Sequence, residues 1–349
     1  MGQHVQLDNQ FVGFENPCYI IAEIGSNHNR DFDTARALID VAKESGCNAV
    51  KFQSYTADGL YSKFTPRISE MEDRSHPGET PYELIKRVQM PVDWHQPLSE
   101  YCQKAGITFC STPFDESMVD ILEGVNIPFY KVSSYDITFY PMLVKIARTG
   151  KPVILSTGNS DMKDIEAAVD ILKDNGCVEL VLLHCVSQYP AVYEDMNLKC
   201  IETLRNKFDC LVGLSDHTMD SLCGIMAVSL GVSIIEKHIT LDRKTFGPDH
   251  PFALEPDQLK EYVAAVRNAE TILGDGVKSV CSSEQENHKI GRRSIIAAEN
   301  IKKGEEFTRE KLVIKRPAMG IHPRDLNEVI GKRAKKDILK DYWITQDCF

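Results

Sequence analysis

The chain has 349 residues, 42% of them hydrophobic and 26% charged. That is ordinary globular composition, long enough for two domains or for one large barrel with an appendage. Fifty-one acidic against 40 basic residues give a net charge of −11, which argues against a nucleic-acid-binding surface as the main business and leaves room for a local basic site for an anion.

The opening MGQHVQLDNQFVGFENPCYIIAEIG has no basic n-region and no long apolar core, so it does not read as a secretory signal. No apolar run reaches ~18 residues, so no membrane span is expected. The 11 cysteines contain no C-x-x-C pair. Reduced, mostly buried thiols in a cytoplasmic protein fit that usage, and a disulfide or zinc scaffold does not.

Within the opening, QLDNQFVGF reads as a short hairpin. From about residue 18 to 273, eight short apolar runs alternate with amphipathic stretches. The runs are Tyr19–Ile24, Ala49–Phe52, Ile107–Cys110, Phe129–Val132, Val153–Leu155, Leu180–Leu183, Leu211–Leu214 and Ser233–Glu236. Helical spacing is clear over 33–45, 160–175 and 256–273, each stopped by a glycine: Gly46, Gly176 and Gly274. Fully apolar strands alternating with helices imply a parallel sheet buried on both faces. Eight such units in ~250 residues point to an α/β fold, a (β/α)8 TIM barrel.

Residues 54–92 interrupt the rhythm. The stretch is polar, with Arg67, Arg74, Pro77 and Gly78, and only 81–89 looks helical. It is either an active-site loop or a surface insertion. The pattern changes again near 275, where GDGVKSVCSSEQENH reads as a polar linker. The boundary is placed near 285, giving a catalytic barrel with its hairpin over 1–280 and a linker plus small, mostly-β domain over 281–349. A tail of about 60 residues is small for independent stability and is expected to lean on something larger.

A barrel carries its chemistry where strands end. The strand ends here offer Glu23, then Asn27 and His28; Lys51 and Gln53; Ser111 and Thr112; Lys131, Ser133 and Ser134; Ser156 to Gly158; His184; Ser215 to His217; and Glu236 and His238. A lysine inside an apolar strand is costly unless paired with an anion. Lys51 and Lys131, with hydroxyls at Thr112, Ser134, Ser156 and Ser215, therefore make a cradle for phosphate and carboxylate groups. The alternative is that the lysines balance Glu23 and Glu236, and a Schiff-base role for either lysine stays open. His217 and His238 end adjacent strands and would reach one divalent cation with open positions, unless they are structural. Glu23 is a candidate ligand, base or lysine partner. Asp249 and His250 sit on a proline-bounded loop that would bind sugar hydroxyls or simply enter the next helix.

With these residues in view, the chain resembles the sialic acid (N-acetylneuraminate) synthase family. The matching motifs are IIAEIGSNHN (20–29), AVKFQSY (49–55), STPFD (111–115), YKVSS (130–134), ILSTG (154–158), LLHC with YP (182–190), EDMNL (194–198), GLSDHT (213–218), IEKHITLD (235–242) and GPDH with LEP (247–256). The tail, with IKKGE (301–305) and VIKRP (313–317), resembles the family's antifreeze-like (SAF) domain.

The resemblance implies condensation of phosphoenolpyruvate with an N-acetylated aldose, with release of phosphate, assisted by Mn2+ or Mg2+. It places phosphoenolpyruvate on Lys51, Thr112, Lys131, Ser134, Ser156 and Ser215, and the metal on His217 and His238. Sugar contacts fall on Glu23, Tyr189, Asp249 and, from a second subunit of a domain-swapped homodimer, Arg316. Departures from the commonest family pattern are Ser134-Tyr135-Asp136, which puts Asp136 beside the sugar, Ser187-Gln188 and Phe252. They leave the acceptor open among N-acetylmannosamine, its 6-phosphate and the deoxy diacetamido hexoses that lead to legionaminic or pseudaminic acid. The competing readings are a lysine Schiff-base aldolase, a non-catalytic sugar-binding homologue, and nucleic-acid binding through Lys332, Arg333, Lys335 and Lys336. Motif order opposes the first, the intact set of candidate residues the second, and the overall charge the third.

Overall fold

The computed structural model describes residues 4–67 and 76–349, so Arg74 of the polar insertion lies outside the described residues. The chain divides into two compact units, Met1–Gly274 and Asp275–Phe349.

In the first unit a hairpin, β1 (His4–Leu7) and β2 (Gln10–Gly13), precedes eight parallel strands. These are β3 (Tyr19–Gly25), β4 (Ala49–Ser54), β5 (Thr108–Pro113), β6 (Tyr130–Val132), β7 (Val153–Ser156), β8 (Leu180–Cys185), β9 (Leu211–Asp216) and β10 (Ile234–His238). Each coincides with one of the eight apolar runs. The order β5-β4-β3-β10-β9-β8-β7-β6 pairs the first barrel strand with the last, Glu23 opposite His238. β5 and β6 lie side by side at the seam, which nearly closes a TIM-type barrel.

Helices connect the strands. The barrel's helices are α1 (Phe32–Glu44), α2 (Ala57–Leu60), α3 (Pro81–Val88), α4 (His95–Ala105), α5 (Glu116–Gly124), α6 (Tyr140–Ala147), α7 (Met162–Asp174), α8 (Cys200–Phe208), α9 (Leu222–Ser229) and α10 (Pro256–Leu273). Local signals set their ends. Asp161 caps α7 in a reciprocal box with Asp164, and Pro256 opens α10 behind the Glu255 cap.

Strand alternation sorts the core into two layers. Outward residues such as Ile20, Ala22, Val50 and Val212 pack against the helices. Inward ones, Tyr19, Ile21, Ala49, Phe129, Ile154, Val181 and Ile234, fill the barrel's lower interior with Val5, Leu7 and Val12 of the hairpin. Two residues further along five of the strands the inward positions turn polar: Ile21 gives way to Glu23, Ala49 to Lys51, Phe129 to Lys131, Ile154 to Ser156 and Ile234 to Glu236. The apolar layer is a floor on which the polar one stands.

The second unit has its own core, with Ile295, Ile301, Phe307, Leu312, Val329, Ile338 and Ile344 buried together. Antiparallel β11 (Ser294–Ala297) and β12 (Leu312–Lys315) and short bridges hold it, with two brief helices, α11 (Gln285–Gly291) and α12 (Leu326–Val329). Among the described residues no helix is long and apolar enough to cross a membrane.

Candidate active site

Because all eight strands run the same way, their C-terminal ends meet at one mouth. A cavity of about 350 Å³ opens there. Twelve of the thirteen expected site residues line it: Glu23, Lys51, Thr112, Lys131, Ser134, Asp136, Ser156, Tyr189, Ser215, His217, His238 and Asp249. The thirteenth, Arg316, belongs to the second unit, where its Nε donates to the Gly291 carbonyl at 2.6 Å.

The cavity's base is a buried charge cluster. Lys51 Nζ lies 2.7 Å from Glu23 Oε2 and 3.8 Å from Glu236 Oε2, and donates to Thr112 Oγ1 at 3.2 Å. Lys131 Nζ lies 3.6 Å from Glu236 Oε1 and donates to the Val132 carbonyl at 3.2 Å. Ser215 Oγ donates to Glu236 Oε1 at 3.2 Å, and Gln53 Nε2 to Glu23 Oε1 at 2.7 Å. The pairing of both lysines with Glu23 and Glu236, one of the two sequence alternatives, is therefore present. Burial pushes the Glu23 carboxyl up to about 7, with Glu236 adding to the shift and Lys51 opposing it. Burial also acts to raise Glu236, yet Lys131 and Lys51 outweigh it and hold that group below the ordinary glutamate value. Of the two carboxyls, Glu23 is the one that burial turns towards holding a proton, and Glu236 the one that the lysines keep ionised.

Around the lysines stand the hydroxyls. Ser156 Oγ is buried with no hydrogen-bond partner among the described residues. Ser134 Oγ accepts from the Gly158 amide at 2.9 Å. A Cβ at Gly158 would sit 3.0 Å from both Ser134 Oγ and Cys185 Sγ, so glycine is what lets this backbone approach. Gly25 plays the same part on the opposite wall. It sits at φ +54°, and a Cβ there would lie 2.8 Å from Asp249 Oδ2 and 3.3 Å from Glu23 Oε1.

The two imidazoles end neighbouring strands with ring centres 5.4 Å apart. His217 Nδ1 lies 2.8 Å from the Val186 carbonyl, which fixes the proton there and leaves Nε2 as the free lone pair. His238 Nδ1 is buried without a hydrogen-bond partner among the described residues, and burial holds its pKa well below the ordinary value. Tyr189 packs on His217 at 4.3 Å and on Phe252 at 4.9 Å, closing the imidazoles from the side. No group of three or more His, Cys, Asp or Glu side chains among the described residues is set to hold a metal ion. Two imidazoles this close, unprotonated when they coordinate, would suit a divalent cation that keeps water and substrate in its other positions.

Above this base, Asp249 Oδ2 accepts from Ser26 N and Oγ at 3.2 and 3.0 Å. The cavity is also lined by Tyr135 and Asp136, the residues marked as departures from the family pattern. Burial pushes the Asp136 carboxyl up to about 7, and its Oδ2 has no hydrogen-bond partner among the described residues. The described part of the 54–92 insertion reaches the cavity through Leu60, Tyr61, Ile85 and Val88.

Some residues named from the sequence stand outside the cavity, among them Asn27, His28, His184 and His250. His184 faces away from the mouth, 2.6 Å from the Met196 carbonyl, and Cys185 lines the cavity instead. His250 packs on Thr240 Oγ1 at 2.7 Å and does not line the cavity. Among the cysteines, Cys185 lines the cavity. Burial acts to raise its thiol, but His217, Ser134 and Lys131 bring it down to about 7. Glu236, which the sequence offered as a counter-charge to the lysines, lines the same cavity as His238. Glu236 and His238 are two apart on one strand and share a face.

A model of the NeuB family matches residues 38–278, and a model of the SAF domain matches residues 292–349. The chain is 39% identical to the N,N'-diacetyllegionaminic acid synthase of Campylobacter jejuni, over 94% of this chain and 98% of that one. It is 34% identical to the human N-acetylneuraminate-9-phosphate synthase, over 97% of this chain and 94% of that one. Among solved structures, N-acetylneuraminic acid synthetase from Leptospira borgpetersenii, in complex with citrate, superposes with a TM-score of 0.73. That match has 35% identity and covers 82% of this chain and 95% of the other.

Proposed function

The chain belongs to the NeuB family of sialic-type acid synthases, and on that premise we propose that it condenses phosphoenolpyruvate with an N-acetylated aldose to give a nonulosonic acid and phosphate. The observation that carries this reading is the pair of buried lysines, Lys51 and Lys131, at the base of one cavity with the hydroxyls of Thr112, Ser134, Ser156 and Ser215. A buried pair of lysines flanked by an unpartnered hydroxyl, Ser156 Oγ, suits an anion that also supplies acceptors.

In this scheme Lys51, Lys131 and the hydroxyls hold the phosphate and carboxylate and fix the approach of the enol carbon. His217 and His238 would hold a divalent cation, Mn2+ or Mg2+, which supplies electrophilic polarisation at the aldehyde oxygen. Tyr189, Asp249 and Asp136 orient the aldose, with Arg316 supplied by a second copy of the chain. A bond forms between C3 of phosphoenolpyruvate and the aldehyde carbon, whose oxygen takes a proton. Water adds at C2, and the C2–O bond to phosphate breaks. Glu23, holding a proton near neutrality, is placed to exchange it with that water. Lys131 acts through its charge and forms no Schiff base.

Phosphate release from phosphoenolpyruvate with Mn2+ and a panel of N-acetylated hexoses tests the reading, and turnover with at least one is expected. Borohydride trapping of a substrate adduct on Lys131 would overturn it in favour of a lysine aldolase. Full activity and undiminished Mn2+ binding in His238→Ala would overturn the metal assignment.

A further inference from the structure

The cavity has two chemically different halves. Its base is charged and hydroxylated, and the reacting atoms belong there. Its outer wall, on the side of the insertion, is apolar. Leu60 from α2 and Ile85 and Val88 from α3 face the cavity, joined by Tyr61 and by Phe114 from the loop after β5. Phe114 packs edge-on against Tyr55 at 5.4 Å, which seats the wall on β4.

The wall is held in place. A reciprocal Thr80–Glu83 capping box starts α3. Arg87 forks onto Glu79, with Nε to Oε1 at 2.8 Å and Nη2 to Oε2 at 3.0 Å, and lies over the Phe246 ring at 5.1 Å. His76 stacks on the same ring at 4.6 Å. Phe246 belongs to the loop that carries Asp249, so the two rims of the mouth are tied together.

The charges on this side are acidic. Asp136 has a buried carboxylate oxygen without a partner, suited to an N–H or O–H donor. Both lysines of the lining are committed at the base, and among the described lining residues there is no arginine. A phosphate set against Leu60, Ile85 and Val88 would lose hydration to apolar side chains, with Asp136 an acidic group among the described lining residues of the same chain.

We infer that the insertion after β4 selects an acceptor whose end remote from the aldehyde is apolar and uncharged: a 6-deoxy acetamido hexose, in preference to one ending in a hydroxymethyl or phosphorylated group. This rests on the condensation reading above.

The test compares kcat/KM of the full chain, with phosphoenolpyruvate and Mn2+, for four acceptors. They are N-acetylmannosamine, its 6-deoxy analogue, its 6-phosphate, and the 2,4-diacetamido-2,4,6-trideoxy hexose. The deoxy acceptors are expected to exceed N-acetylmannosamine by about 10–100-fold, the scale on which an apolar pocket rejects an added hydroxyl. The 6-phosphate is expected at least ~1000-fold below the deoxy acceptors, because the wall it would meet is apolar and strips its hydration. Equal or better turnover of N-acetylmannosamine or its 6-phosphate overturns the inference while leaving the condensation standing. Silence with all four overturns the condensation itself, and the inference with it. Ile85→Ser and Leu60→Ser provide the second arm, read as the ratio of deoxy to parent acceptor, which partial unfolding does not change. That ratio is expected to fall by about 5–10-fold, part of the same hydroxyl discrimination. An unchanged ratio in both variants overturns the assignment of the wall.

Discussion

At the scale of single residues, the mouth concentrates groups whose burial works against stability. Asp136 is the clearest case. Its carboxyl is pushed from 3.8 up to about 7, first by burial, while Ser133 and Lys131 pull weakly the other way. The unfolded chain therefore releases this proton near pH 4 and the folded chain holds it until about 7. Across that window the unfolded state binds fewer protons, so stability falls as pH rises, and the full penalty is present at pH 8. At ~1.4 kcal/mol per unit, the penalty is of order 2–4 kcal/mol. Asp136→Asn is expected to be more stable than the parent at pH 8 by that order, with the gain shrinking towards pH 4, and to lose turnover. Urea unfolding at pH 5 and pH 8 checks it, and a gain equal at both pH values would refute the cause given. The position was legible in the sequence as a departure in the Ser134-Tyr135-Asp136 run. Its unpartnered oxygen was not, because that depends on neighbours distant in the chain.

At the scale of elements, the same alternation that aims Glu236 and His238 inward aims Lys237 outward, and Asp216 turns away from the mouth between Ser215 and His217. Lys237 Nζ lies 3.0 Å from Asp216 Oδ2 and donates to the Thr218 carbonyl. Tyr262 of α10 donates to the same Asp216 oxygen at 2.8 Å, and Thr218 N and Oγ1 donate to the other at 2.9 and 2.7 Å. This fully buried network pins the residues on both sides of His217 and the one before His238. Gly224 of α9 makes room for it, since a Cβ there would collide with the Tyr262 hydroxyl. Lys237→Met leaves Asp216 buried without its cation, and a loss of about 3–5 kcal/mol is expected. Lys237→Met with Asp216→Asn should recover part of that. Denaturation midpoints of the two variants decide it, and equal midpoints would remove the ion pair from the account. Strands and helices were legible because burial on both faces writes continuous apolar runs, and glycines stop the helices. What was not legible is which partner an element meets. His184 looked like a strand-end ligand until its position on the outer face of β8 was seen, and nothing local in Arg87 or His76 points to Phe246, far along the chain.

At the scale of the whole molecule, a net charge of −11 surrounds a mouth that gathers Lys51, Lys131 and two imidazoles. The cation still missing from the expected sugar contacts is Arg316, which lies in the second unit with its own buried core. Whether a chain's Arg316 serves its own barrel or that of a second copy is decided by complementation. Arg316→Ala and Lys131→Ala are each expected to be inactive as pure preparations. In a mixed dimer, contribution across copies gives one barrel with an intact Lys131 and an intact Arg316 from its neighbour, and one barrel with neither. Random exchange makes about half the dimers mixed, so recovery of about a quarter of the parent activity is expected after unfolding and refolding the two variants together. Contribution within one chain gives no complete site in any combination, and the mixture stays silent. A refolded parent control fixes the scale, and a silent mixture beside an active control would overturn the exchange of the second unit between copies.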